Sequence, residues 1–286
     1  MNADRTITEI LREASHELES AGVPEARREA GSLLSFVIGK DRTFLISHTE
    51  DVMDETAIER FRAFVERRAT GEPLQYITGV QDFFGREFRL TPAVLIPRPE
   101  TELLVEAALE VGGNAAHLIC DVGTGSGCIA LTLLCELSAA RAVAVDKSTA
   151  ALEIAKLNAR NLGVDDRTEF IVSDCFDALE PSKYQFDLIV SNPPYIAAQV
   201  VSGLQREVRD HEPLVALSPG SDGLSIIRRL IHESPVFLKP AGHLIIEIGF
   251  DQGEAVRALI DERVWGLLEI RPDLQSIPRI VVLQKQ

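Results

Sequence analysis

Residues 121–131 read DVGTGSGCIAL, and this stretch decides the fold. Gly123, Gly125 and Gly127 sit between two apolar runs of different length. The first, His117 to Val122, has the length of a buried strand; the second, Cys128 to Leu137, has that of a helix. Glycines at such a junction allow a tight turn and a close approach of backbone to ligand. The same junction is also what a plain strand–helix turn requires, so the reading depends on the chain around it.

Downstream the alternation continues. Ala142–Asp146 reads as a strand and Ala150–Leu162 as a helix. EFIVSD (169–174) and FDLIVSN (186–192) read as strands three and four, and GHLIIEIG (242–249) as strand five. Ala255–Ile260 is helical in pattern, and WGLLEIRPD with RIVVLQK forms a candidate closing antiparallel pair. Alternating β and α units predict an α/β fold with a mostly parallel sheet covered on both faces. Ligands of such sheets sit at the carboxyl ends of the strands. The loops that follow Asp121, Asp146, Ser173 and Asn192 are therefore the candidate site.

Upstream the pattern changes. Ile7, Ile10, Leu11, Ala14 and Leu18 recur at helical spacing, as do Ala26, Ala30, Leu33, Leu34 and Val37, and then Ile58, Phe61, Phe64 and Val65. A bundle of three to five helices is expected. Alternation around Phe83–Leu90 predicts a short β-hairpin. The expected domains are residues 1–72 (helical), 73–95 (hairpin linker) and 96–286 (α/β).

With 286 residues and 45% hydrophobic content, the chain can bury a large core. A net charge of −15 argues against broad nucleic-acid binding, which rests on phosphate neutralisation by Lys and Arg. Cys120, Cys128, Cys135 and Cys175 show no C-x-x-C pairing and no histidine cluster, so reduced thiols in a cytoplasmic protein are expected, with no metal site. The N-terminus lacks a signal-peptide apolar run, and no stretch reaches the length of a membrane span.

Two acids sharpen the glycine loop. Asp146 ends strand two, 19 residues after Gly127, where a carboxylate can accept from both hydroxyls of a ribose. Asp174 ends strand three, where its carboxylate can accept from an adenine amino group while the Cys175 amide meets a ring nitrogen. Either acid alone also suits a helix N-cap. The loop Gly123-Thr124-Gly125-Ser126-Gly127 does not fit the dinucleotide fingerprint G-x-G-x-x-G/A. S-adenosylmethionine, which has no pyrophosphate, is therefore favoured over NAD.

The fourth strand stops at Asn192-Pro193-Pro194-Tyr195. The prolines remove two ladder donors and hold Asn192 and Pro193 extended. The Pro193 carbonyl then has no ladder partner, and the Asn192 side-chain oxygen is a second acceptor. Two fixed acceptors can hold both hydrogens of an NH2 group and turn the remaining face of its nitrogen toward a methyl donor. Tyr195 can lie against the flat face of the bound group. Orientation and electrostatics address the weak nucleophilicity of such a nitrogen, and the proton leaves after attack.

These residues resemble the protein-(glutamine-N5) methyltransferases that modify class I peptide-chain release factors, the HemK/PrmC family. GEPLQYITG (71–79), LIPRPETE (95–102), DVGTGSGCIAL, VSNPPYI and HEPLVALSPGSDGL (211–224) carry the likeness along nearly the whole chain. The resemblance implies a helical substrate-recognition domain, a β-hairpin linker and a seven-stranded, class I Rossmann-like S-adenosylmethionine-dependent domain. It implies that Gly123 to Gly127 and Asp146 hold the methionine and ribose parts of the cofactor. Cys175, where many members carry a tryptophan, would contact adenine. Asn192, Pro193, Pro194 and Tyr195 would grip the glutamine of a Gly-Gly-Gln loop, and Arg98, Pro99, Glu100 and Thr101 would line the pocket. Two other functions compete: an adenine-N6 or guanine-N2 methyltransferase for DNA or RNA, opposed by the missing basic segment, and a non-catalytic cofactor-binding regulator, opposed by the intact tetrad.

Overall fold

The computed structural model describes residues 5–113 and 117–286. Contacts divide the chain into two units. One runs through Gly79 and includes Gln205–His211; the other comprises Val80–Leu204 and Glu212–Gln286. This division differs from the expected boundaries in two respects. The hairpin joins the second unit, and a short late segment joins the first.

The helical unit contains α1 (Ile7–Ser20), α2 (Ala26–Ile38), α3 (Arg42–Ser47), α4 (Glu55–Ala69) and α5 (Leu74–Thr78). Local chemistry sets several of the starts. Thr6 accepts from the Glu9 amide while the Glu9 side chain accepts from the Thr6 amide, a reciprocal cap for α1. Asp41 and Asp54 cap α3 and α4. The apolar stripe of α1 (Ile7, Ile10, Ala14, Leu18) packs with Leu33, Leu34, Phe61 and Val65. Inside this unit Arg68 is buried. Its Nε lies 2.8 Å from Glu29 Oε2, and its Nη2 pairs with Glu207 of the late segment.

The second unit opens with a hairpin, β1 (Val80–Phe83) and β2 (Arg86–Arg89), paired antiparallel. Phe83 and Phe88 meet edge to face in the core, centroids 6.1 Å apart. Then come α6 (Glu102–Gly112), β3 (Leu118–Val122), α7 (Cys128–Glu136), β4 (Arg141–Asp146), α8 (Thr149–Leu162), β5 (Thr168–Val172) and β6 (Phe186–Ser191). α9 (Arg206–His211) falls in the late segment of the helical unit, and the second unit continues with α10 (Leu214–Leu217), α11 (Ser225–Glu233), β7 (Leu238–Glu247), α12 (Gly253–Arg257), β8 (Trp265–Pro272) and β9 (Pro278–Lys285).

β3 to β9 form one seven-stranded sheet of order β5-β4-β3-β6-β7-β9-β8. β9 runs antiparallel to β7 and β8, and the other pairs are parallel. Successive residues serve opposite faces. Ile119, Leu188 and Val190 join the core with α6 and α7, whereas Cys120, Ile189 and Leu244 join the core with α11 and Trp265. β7 begins at Leu238, four residues before the expected start at Gly242, across a register shift opposite Phe186–Leu188. Lys239-Pro240-Ala241 looks like a turn in sequence, yet it belongs to the strand.

The order reverses between β3 and β6, and ligands of open α/β sheets bind at such a switch point. Asp121 pairs with Val190 in this register. Two residues further along each strand lie Gly123 and Asn192, so strand pairing brings the glycine loop and the tetrad side by side.

Candidate active site

A cleft of about 760 Å³, part of it open to solvent, lies at these carboxyl ends. Gly123, Gly125, Asp146, Asp174, Cys175, Asn192, Pro193 and Pro194 line it. A wider groove on the helical unit, lined by residues such as Leu11, Arg27 and Ile46, gathers none of the candidate site residues.

Asp146 fastens the glycine loop to β4. Its Oδ2 accepts from the Gly125 amide at 2.9 Å and its Oδ1 from the Ser148 amide at 2.8 Å. Burial raises its pKa despite these donors. The Asp174 carboxylate sits at the rim, 2.9 Å from Arg229 of α11. Burial pushes the Cys175 thiol up to about 12, so it is a neutral wall residue and no nucleophile. Among the described residues lining the cleft, Lys147 is the one cation and Asp146 and Asp174 are the acids.

Thr124, Ser126 and Gly127 do not line the cleft; Thr124 and Ser126 are buried in the turn that follows β3. Thr124 donates to Asp121 Oδ2 at 2.7 Å, and the Ser126 carbonyl accepts from Asn158 Nδ2 at 2.8 Å. Asn158 also exchanges two hydrogen bonds with the Arg89 backbone, which ties the hairpin to the loop. At Gly127 a Cβ would lie 2.7 Å from Leu131 Cδ1, and φ is +84° there, so no other residue fits without displacement. Asp121 is fully buried, and its Oδ1 has no partner among the described residues. Burial pushes this carboxyl up to about 7. The orphaned oxygen calls for a hydrogen-bond donor.

β6 ends at Ser191, whose hydroxyl donates to the Val122 carbonyl at 2.6 Å. Asn192 Nδ2 donates to Thr101 Oγ1 at 3.0 Å, and no donor among the described residues reaches Asn192 Oδ1 or the Pro193 carbonyl. Both residues line the cleft wall. Tyr195 is not part of that wall. Its phenol donates to Glu247 Oε1 at 3.2 Å, and burial raises its pKa. Thr101 lies behind Asn192 and donates to Glu247 Oε2 at 2.7 Å. Arg98 Nη2 pairs with the buried Glu212 at 2.6 Å, while Pro99 and Glu100 are exposed.

The segment 211–224 supports the tetrad from outside. Ile196 donates to the Leu217 carbonyl, and Gln252 Nε2 donates to the carbonyls of Tyr195 and Gly223. At Gly223, where φ is +72°, a Cβ would collide with the Tyr195 carbonyl oxygen.

Two family models match the chain: the PrmC N-terminal domain over residues 9–79 and the methyltransferase small domain over residues 99–208. The Release factor glutamine methyltransferase of Koribacter versatilis is 43% identical, covering 98% of this chain and 99% of that one. The protein of the same name from Cereibacter sphaeroides is 44% identical, covering 96% of each. The chain belongs to the release factor glutamine methyltransferase family. It is an enzyme, a methyltransferase. A solved 16S rRNA methyltransferase from T. Thermophilus, in complex with AdoMet and guanosine, shares the fold at a TM-score of 0.51 and 19% identity, over 72% of this chain and 50% of that one.

Within this methyltransferase, sequence reasoning missed Asp121, Glu212, Glu247 and Gln252. A signal existed for Glu247. It is a lone carboxylate ending the apolar run of β7, as Asp146 ends β4. Asp121 was in view but read only as a strand end. Glu212 and Gln252 act through contacts more than 50 residues away, with Arg98 and Tyr195, and carry no local signal. Among the described residues, no cluster of three or more His, Cys, Asp or Glu could hold a metal ion, and no helix is long and apolar enough to cross a membrane.

Proposed function

We propose that this enzyme transfers a methyl group from S-adenosylmethionine to the side-chain N5 of the glutamine in the Gly-Gly-Gln loop of class I peptide-chain release factors. The observation that carries the reading is the pair of open acceptors, Asn192 Oδ1 and the Pro193 carbonyl, on the wall shared with Gly123 and Asp146.

The cleft suits this cofactor. Its lining carries two acids and one lysine, a balance that favours a cationic ligand over a pyrophosphate. Asp146 would accept from the ribose hydroxyls, and Asp121 Oδ1, without a partner among the described residues, would accept from the ammonium of an amino-acid group. Asp174, with one oxygen on Arg229, and the Cys175 backbone would meet adenine. When bound, S-adenosylmethionine supplies an electrophilic methyl group on a sulfonium.

The protein's part is orientation. Asn192 and Pro193 take the two amide hydrogens and hold the nitrogen with one face toward the methyl group. Pro193 and Pro194 keep water from that face. The same two acceptors would then pass to water the one proton that the amide nitrogen gives up on methylation. Pro99, Glu100 and Arg98 would contribute at the rim, and the helical unit would carry further contacts to the release factor. The charge of −15 opposes the nucleic-acid reading.

Incubation with labelled S-adenosylmethionine and either a class I release factor or nucleic acid tests the proposal. The expected result is a gain of about 14 daltons on the loop glutamine, one hydrogen replaced by methyl. Label on nucleic acid alone, or on neither, overturns it.

A further inference from the structure

We propose that Glu247 is a positioning residue for methyl transfer: through Thr101 it fixes which end of the Asn192 carboxamide faces the cleft. The inference rests on the reading that Asn192 holds the substrate amide.

Glu247 ends β7 and is 1% exposed. It has no ion-pair partner among the described residues, and its two oxygens receive two hydroxyls: Thr101 at 2.7 Å and Tyr195 at 3.2 Å. A carboxylate can only accept. Thr101 has one hydroxyl hydrogen, and once that hydrogen is given to Glu247 its oxygen can only accept in turn. The neighbouring donor is Asn192 Nδ2 at 3.0 Å. The NH2 end of Asn192 is therefore turned inward, and Oδ1 is left facing the cleft. Turned the other way, the carboxamide would confront the substrate NH2 with its own NH2, donor against donor.

A buried carboxylate without a cation is expensive. If Glu247 served packing alone, a neutral side chain of the same shape would do as well. Its charge explains the arrangement, because a carboxylate alone commits both hydroxyls to donate. A glutamine there presents one oxygen and one NH2, so one of the two hydroxyls must turn its hydrogen elsewhere.

The pH dependence follows. The groups facing Glu247 are Thr101 and Glu100 from the turn before α6, Tyr195 after β6, Arg279 on β9 and Cys128 at the start of α7. Burial outweighs them and pushes the carboxyl up to about 7. Protonated Glu247 can donate to a hydroxyl and release the Asn192 orientation, so turnover should fall as pH drops through about 7.

The test compares Glu247→Gln, Thr101→Val, Thr101→Ser and the double variant Glu247→Gln/Thr101→Val in the full-length enzyme with a class I release factor. Glu247→Gln and Thr101→Val should each lower kcat by about 10- to 100-fold, as small misplacements in an active site do. Cofactor affinity by calorimetry should stay within about 3-fold, and Thr101→Ser should restore most of kcat. The double variant should be no slower than Thr101→Val, since the two residues act in series. The acid limb of the pH profile should vanish in Glu247→Gln. Multiplying losses, wild-type turnover in Glu247→Gln or an unchanged acid limb would overturn the proposal. Should wild type fail to methylate the release factor, the proposed function fails instead. The relay is then read directly from the Asn192 side-chain amide signals by 15N NMR, which both Glu247→Gln and Thr101→Val should shift; signals unmoved by either variant overturn it.

Discussion

Buried charge in the helical unit is held differently from the two buried acids at the strand ends of the α/β unit. In the helical unit the buried ion is Arg68, which meets two carboxylates, Glu29 and Glu207, and also donates to the Glu72 carbonyl. In the α/β unit buried Glu212 pairs with Arg98 in the same way, but the buried acids Asp121 and Glu247 meet hydroxyls and amides and no cation within ion-pair distance among the described residues. The first arrangement joins distant parts of the chain, residues 29, 68 and 207, within one unit. The second spends stability at the ends of β3 and β7, beside the cleft. Perturbed acids of that kind concentrate where function constrains the chain.

The comparison can be broken most decisively at the cleft. Asn192→Ala should lower kcat by about 10²- to 10³-fold, the scale seen when one oriented polar contact to a reacting group is lost, while cofactor affinity stays within a few-fold. Asp146→Ala should do the reverse and weaken cofactor binding first. Calorimetry and single-turnover methylation separate them. Turnover of Asn192→Ala within a few-fold of wild type would remove the tetrad from the mechanism.

Arg68→Ala comes next, with an expected loss of about 3 kcal/mol in chemical denaturation because two acids lose their partner. Turnover at saturating substrate should change little. A stability loss below about 1 kcal/mol would mean that the helical unit does not depend on this pair.

A smaller, pH-dependent effect should be confined to the α/β unit. Folded Asp121 keeps its proton up to about pH 7, whereas the unfolded carboxyl titrates near 3.8. Between those values unfolding releases a proton, so stability falls as pH rises through the window. Asp121→Asn should flatten that fall in melts recorded from about pH 4 to pH 8, with Glu247 and Asp146, both raised by burial, contributing to the remainder. An identical slope in the variant would place the Asp121 titration outside the window.

The smallest effects sharpen the contrast. Asp54 caps α4 and Ser148 caps α8, and replacing either by Ala should cost about 1 kcal/mol. Only Ser148→Ala should also weaken cofactor binding, because its turn carries Asp146. Equal binding by both variants would detach the cap from the site.

Much of this was legible in the chain. The 3.6-residue spacing of Ile7, Ile10, Ala14 and Leu18, the hairpin at Phe83–Phe88 and the alternation of short apolar runs with helical ones follow from local rules of burial. The adjacency of Gly123 and Asn192 was legible too, since parallel strands align their carboxyl ends. The hydrogen bond from the Tyr195 phenol to Glu247 was not legible, because β6 and β7 are joined through the sheet and not through nearby sequence. The start of β7 was hidden by Lys239-Pro240-Ala241, which local propensity reads as a turn and the sheet absorbs.

By itself the sequence determined the elements, their alternation and the two acceptors at the end of β6, because glycine, proline and apolar periodicity act within a few residues. Only the tertiary structure decided the rest. Thr101, Asn192, Tyr195 and Glu247 lie on four separate stretches, and packing alone makes them one hydrogen-bonded set. A carboxylate takes its role from the donors that surround it, and those donors are chosen by the fold.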